Sequence, residues 1–114
     1  MRASPAYVRR AVMARDRGVC CHCRLDCARL DRVLRHLALH EPDGVEMAVD
    51  VVERLGLGRR ARLLSTWQAD HRLAVVEGGA DCGLGNYRTL CLRCHAQVTR
   101  DLHRRLRHAR EDAR

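Results

Sequence analysis

Two cysteine pairs, Cys20-x2-Cys23 and Cys91-x2-Cys94, stand 67 residues apart in a chain of 114. A two-residue spacer lets the backbone turn so that both sulfurs face one ion, and two such pairs supply the four thiolates of a structural zinc site. An ion held by all four ties the first third of the chain to the last, unlike a compact ribbon. Cys23-x3-Cys27 is an alternative pair, His22 is close enough to compete, and small unligated cysteines also serve as core residues. A zinc knuckle would need a histidine where Ala28 and Arg29 stand. Cys21, Cys27 and Cys82 read as ordinary thiols.

A staple of this kind answers a weakness in the composition. The chain has no Phe, and its aromatic residues are Tyr7, Trp67 and Tyr87, so Leu, Val and Ala must build the core of one domain. Trp67 reads as part of that core. So few rings exclude a single-strand binder that works by stacking bases. The formal charge is +8, with Arg in place of every Lys. Codon bias in a GC-rich genome accounts for the choice of Arg, whereas the net charge itself points to an anionic partner reached through phosphate. Nine Arg and three acids fall in residues 1–40, six and eight in 41–90, seven and three in 91–114. The two ends are therefore the basic surfaces. No apolar run is long enough for a membrane span and the start has no apolar leader core, which predicts a cytoplasmic protein in a reducing compartment.

Helices are expected over 5–17, capped by Ser4 and stopped by Gly18; over 26–40, with a stripe of Leu30, Val33, Leu34 and Leu37; and over about 44–55, with Val45, Val49 and Val52 on one face. Residues 67–71 and 86–90 read as two short strands around a turn-rich Glu77-Gly78-Gly79 segment, and a last helix runs from Cys91 to about Glu111. On that helix Val98, Leu102 and Leu106 face inward, beside Arg100, Arg104 and Arg107.

Between the cysteine pairs lie Asp70-His71 and then Asn86, and His95 follows Cys94 directly. With Glu77-Gly78-Gly79, this ordered set resembles the HNH endonuclease family, in the subgroup whose ββα-metal finger is braced by two C-x2-C pairs. The likeness covers residues 20–99 apart from a helical insertion over 41–64. It implies an α+β fold: a small ββα-metal core with a four-cysteine zinc site and additional N-terminal helices, forming one domain over 1–114. It also implies DNA phosphodiester hydrolysis, with His71 as general base and Asp70 and His95 as ligands of a catalytic Mg²⁺ or Mn²⁺.

The chemistry suits those roles. Phosphodiester hydrolysis needs a cation at the phosphate, a base for water and help for the leaving oxygen, and an imidazole accepts a proton near neutral pH. Asn86 is either a clamp on the loop behind His71 or a metal ligand. Arg72, Arg88, Arg93, Arg100 and Arg104 are candidate phosphate contacts, a solvated charged face being the alternative for the helical ones. The family's usual Lys after the last His is replaced here by Ala96-Gln97-Val98-Thr99. The competing functional reading is a non-catalytic zinc module that binds DNA or a protein partner.

Overall fold

The computed structural model describes residues 4–58, 65–74 and 83–113. Glu77-Gly78-Gly79, Cys82 and the 59–64 end of the expected insertion lie outside them. Among the described residues the fold is α+β, with four α-helices and a two-stranded antiparallel sheet.

Helix α1 (Pro5–Asp16) starts where the Tyr7 amide donates to Ser4 Oγ at 3.2 Å, with Pro5 in the first turn. It ends one residue earlier than expected because Arg17 already adopts the left-handed cap (φ 57°). Gly18 follows at φ +73°, packed so tightly that a Cβ there would lie 2.7 Å from the Ala28 Cβ. Only glycine satisfies both demands. The chain then turns through the first cysteine loop, closed by a Val19–Asp26 bridge, and Asp26 caps α2 (Cys27–His40) by accepting from the Arg29 amide.

Helices α2 and α3 (Gly44–Arg54) form a hairpin whose contact differs from the expected apolar stripe. The buried positions of α3 are Gly44, Ala48 and Val52, while Val45 is half exposed. The reason is the close approach of the backbones: a Cβ on Gly44 would lie 1.7 Å from the Leu37 carbonyl oxygen. Gly44 therefore sits at the closest approach to α2, Ala48 and Val52 continue its face at four-residue steps, and Val45 turns outward. On α2, Leu34 is fully buried but Val33 is 48% exposed.

Strand β1 (Trp67–His71) is anchored to α2 just before it begins. The Thr66 amide and hydroxyl both donate to Asp31 Oδ1, at 2.9 and 2.8 Å. Strand β2 (Tyr87–Cys91) pairs with β1 in the register Trp67↔Cys91, Ala69↔Thr89, Asp70↔Arg88, His71↔Tyr87. It begins one residue later than expected, because Leu84–Asn86 forms a 3₁₀ turn. Trp67 is core as expected, with the Arg9 guanidinium 3.7 Å above its ring. From the other side, Thr89 donates to Asp16 of α1 at 3.0 Å.

Helix α4 (Leu92–Asp112) follows β2 without a loop. Its 21 residues span about 31 Å at 1.5 Å per residue. Its first half packs on β1 and β2, with Val98 against the core, but none of its residues is fully buried. The core itself joins Val8, Val12, Leu34, Ala48, Val52, Leu57, Trp67 and Leu90 to Cys20, Cys27 and Cys91. The first cysteine loop and the β2–α4 junction are thus parts of one packed unit.

Candidate functional site

The four cysteines of the two C-x2-C pairs come together. Each Sγ of Cys20, Cys23, Cys91 and Cys94 lies within 4.8 Å of the others, Cys20 and Cys91 fully buried and Cys23 at the surface. Both pairs use the same local device: the Cys23 amide approaches Cys20 Sγ at 3.5 Å and the Cys94 amide approaches Cys91 Sγ at 3.4 Å. Sequence separation is bridged by backbone, since the Cys21 amide donates to the Thr89 carbonyl at 2.9 Å.

Burial raises Cys91 and Cys94, and their sulfur neighbours raise Cys94 further. Burial also opposes ionisation of Cys20, yet amide donors from Cys91, Cys23 and His22 outweigh it and bring that thiol down to about 6. A cluster in which one thiolate disfavours the next suits a dication, and four sulfur donors at this spacing suit zinc. The set can hold such an ion. Cys27 stands apart as a core thiol, pushed up to about 12 by burial.

A second constellation lies across the sheet from the α1 side. Asp70 projects from β1 opposite Arg88 on β2, and the first turn of α4 brings His95 Nε2 to 3.6 Å from Asp70 Oδ1. That separation is too long for a hydrogen bond but suits two donors sharing one cation. Asp70 Oδ2 is buried without a hydrogen-bond partner, which is the other half of the fit to a divalent ion. Arg88 Nη2 stands 3.8 Å from that oxygen, and its Nη1 is 3.1 Å from His22 Nε2.

His71 is the last residue of β1 and, by strand alternation, leaves the opposite face from Asp70. Its ring packs on its cross-strand partner Tyr87, centroids 4.4 Å apart, and remains partly open to solvent. The chain beyond it is held by Asn86, which is 8% exposed. The Leu73 amide donates to Asn86 Oδ1 at 2.8 Å, Asn86 Nδ2 donates to the Leu73 carbonyl at 3.1 Å, and the Arg72 amide donates to the Asn86 carbonyl. This is the geometry of a clamp on the segment that leaves His71.

The arginines divide into two groups. Arg72, Arg100 and Arg104 are exposed, Arg100 also donating to Gln97 at 2.6 Å. Arg88 is turned inward. Arg93 is exposed but engaged: it donates to the Leu55 carbonyl at 3.2 Å, and its charge is stabilised by the Cys23 sulfur, so it couples α3 to the cysteine cluster. Neither the His22–Arg88 contact nor the His71–Tyr87 packing was visible in the sequence. The first depends on the cysteine loop docking on β2 through the Cys21 amide, and the second on the register of β1 against β2, which the long connection between the strands leaves unspecified.

The crystal structure of the human ZRANB3 HNH domain matches this fold with a TM-score of 0.62 and 27% sequence identity, over 88% of this chain and 95% of that one. The chain thus shares the fold of an HNH domain. Curated relatives of this chain are described as "DNA annealing helicase and endonuclease ZRANB3": the mouse protein is 32% identical over 105 residues, and the cow and human proteins are 29% identical over the same length. The chain spans about a tenth of their length. No family model matches it. Among the described residues, no helix is long and apolar enough to cross a membrane.

Proposed function

We propose that this HNH domain is a metal-dependent DNA endonuclease, with zinc at Cys20, Cys23, Cys91 and Cys94 in a purely structural role. The observation that carries this reading is the Asp70–His95 pair, two donors 3.6 Å apart beside a buried unpartnered carboxylate oxygen, on the element junction that the cysteine cluster fixes. The endonuclease named in the relatives' descriptions supports it. Asp70 and His95 would hold Mg²⁺ or Mn²⁺. An ion bound there supplies positive charge to the scissile phosphate and the leaving oxygen.

The remaining steps fall to the chain's own groups. His71 takes the proton from the attacking water, its ring kept in place by Tyr87. Asn86 holds the backbone after His71 so that the imidazole keeps one orientation. Arg72, Arg100 and Arg104 receive the DNA backbone, a duplex rather than stacked single strands, given three aromatic residues in all. Cys21 and Cys27, outside the zinc set, are unpaired in disulfides among the described residues, which suits a reducing, cytoplasmic setting.

The test is incubation of the zinc-loaded chain with supercoiled plasmid and Mg²⁺, Mn²⁺ or Ni²⁺. Nicking that requires the added ion is the expected result. Salt-sensitive DNA binding with no cleavage under any ion, on duplex, branched or single-stranded DNA, would support the non-catalytic zinc module instead.

A further inference from the structure

Arg88 is built into the fold in a way that a loose phosphate contact is not. Its side chain is only 15% exposed, and Asp70, its cross-strand partner, is 19% exposed. The strand register forces the two onto one face. Arg88 Nη2 lies 3.8 Å from Asp70 Oδ2, close enough for strong attraction but beyond hydrogen-bond range. Asp70 Oδ2 and Arg88 Nε are both buried and lack hydrogen-bond partners. The pair is therefore electrostatically matched and chemically unfinished.

The far end of the guanidinium is tethered. Arg88 Nη1 meets His22 Nε2 at 3.1 Å, and since a guanidinium offers only donors, the imidazole nitrogen is the acceptor. His22 belongs to the loop between Cys20 and Cys23. The cysteine cluster thus fixes the position of a permanent positive charge beside the carboxylate that is proposed to hold the catalytic ion.

We infer that Arg88 is a resident cation of the site, which competes with the divalent ion for Asp70 and sets the ion concentration the domain requires, with His22 holding it in the competing position. The inference rests on the proposed role of Asp70 and His95 as ion ligands. A buried carboxylate without a counter-charge is costly, so Arg88 also keeps the metal-free fold intact. The same charge lowers the affinity of Asp70 for any second cation, because a unit charge about 4 Å away acts strongly where water is partly excluded.

The experiment is a Mn²⁺ titration of the zinc-loaded chain, free Mn²⁺ being read by electron paramagnetic resonance, with zinc content and circular dichroism checking each variant. Arg88→Gln should tighten Mn²⁺ binding by about tenfold. Arg88→Lys, which keeps the charge, should stay nearer the wild type. His22→Ala frees the guanidinium toward solvent and should tighten binding by a smaller factor. Unchanged or weaker Mn²⁺ affinity in Arg88→Gln, while Asp70→Asn abolishes binding, overturns the inference and leaves the ligand assignment standing. Should Arg88→Gln fail to fold, unchanged affinity in His22→Ala overturns it alone. A wild-type chain that binds no Mn²⁺, or an Asp70→Asn variant that binds it equally well, overturns the ligand assignment and the inference together.

Discussion

Asn86 shows how much can rest on one side chain. It returns both hydrogen-bonding ends of its amide to the backbone of Leu73, thirteen residues away, in a nearly buried position. Asn86→Ala deletes both bonds and leaves the Leu73 groups unsatisfied, so we expect a loss of about 1–3 kcal/mol in urea unfolding. Cleavage should fall more than DNA binding, because the clamp acts on His71. The sequence marked Asn86 as important but left it between clamp and ligand, because the choice depends on where its amide ends go. Arg88 is the converse case. Its charge was visible, but its partner Asp70 is eighteen residues away and becomes a neighbour only through the strand register.

Among the elements, the cysteine pairs were the most legible, since two-residue spacing encodes a turn with sulfurs on one side whatever the intervening chain does. Their assembly also sets a proton balance. Burial and neighbouring sulfurs hold Cys91 and Cys94 above the ordinary thiol range, so in the metal-free fold both carry protons at neutral pH. Zinc binding must expel them, and affinity must therefore fall as pH falls. Loading the metal-free chain at pH 7.5 in a weakly buffered indicator solution should release roughly two or more protons per zinc. No release would contradict the four-thiolate assignment.

The α2–α3 contact is less legible in the sequence. Apolar spacing drew attention to Val45, Val49 and Val52, yet the helices meet along Gly44, Ala48 and Val52, because periodicity cannot register how closely two backbones approach. Gly44→Ala pushes a methyl into the Leu37 carbonyl. It should destabilise the zinc-loaded chain by about 1–3 kcal/mol in thermal unfolding.

Over the full chain, charge is the quantity that sequence alone conveyed most fully. The formal +8 becomes about +6 once four thiolates and one dication are counted. What the sequence left open was which arginines are free to use that charge. Arg88 is enclosed by the protein and Arg93, though exposed, is engaged by the Leu55 carbonyl, whereas Arg100 and Arg104 lie exposed along α4, a helix with no fully buried residue. Replacing Arg100 and Arg104 by Gln should weaken duplex binding and reduce the slope of log affinity against log salt by roughly one for each phosphate no longer neutralised. An unchanged slope would move the DNA to another face. An imidazole at the end of β1 and an ion site on the other face of that strand are proposed to act on one phosphate at the strand's edge, as one cleavage centre on this zinc-braced scaffold. Plasmid nicking by His71→Ala probes that centre most directly, with duplex affinity and zinc content measured on the same sample. Cleavage should fall by about 10²–10⁴-fold with affinity and zinc unchanged, and cleavage at the wild-type rate would contradict the assignment of His71 as the base.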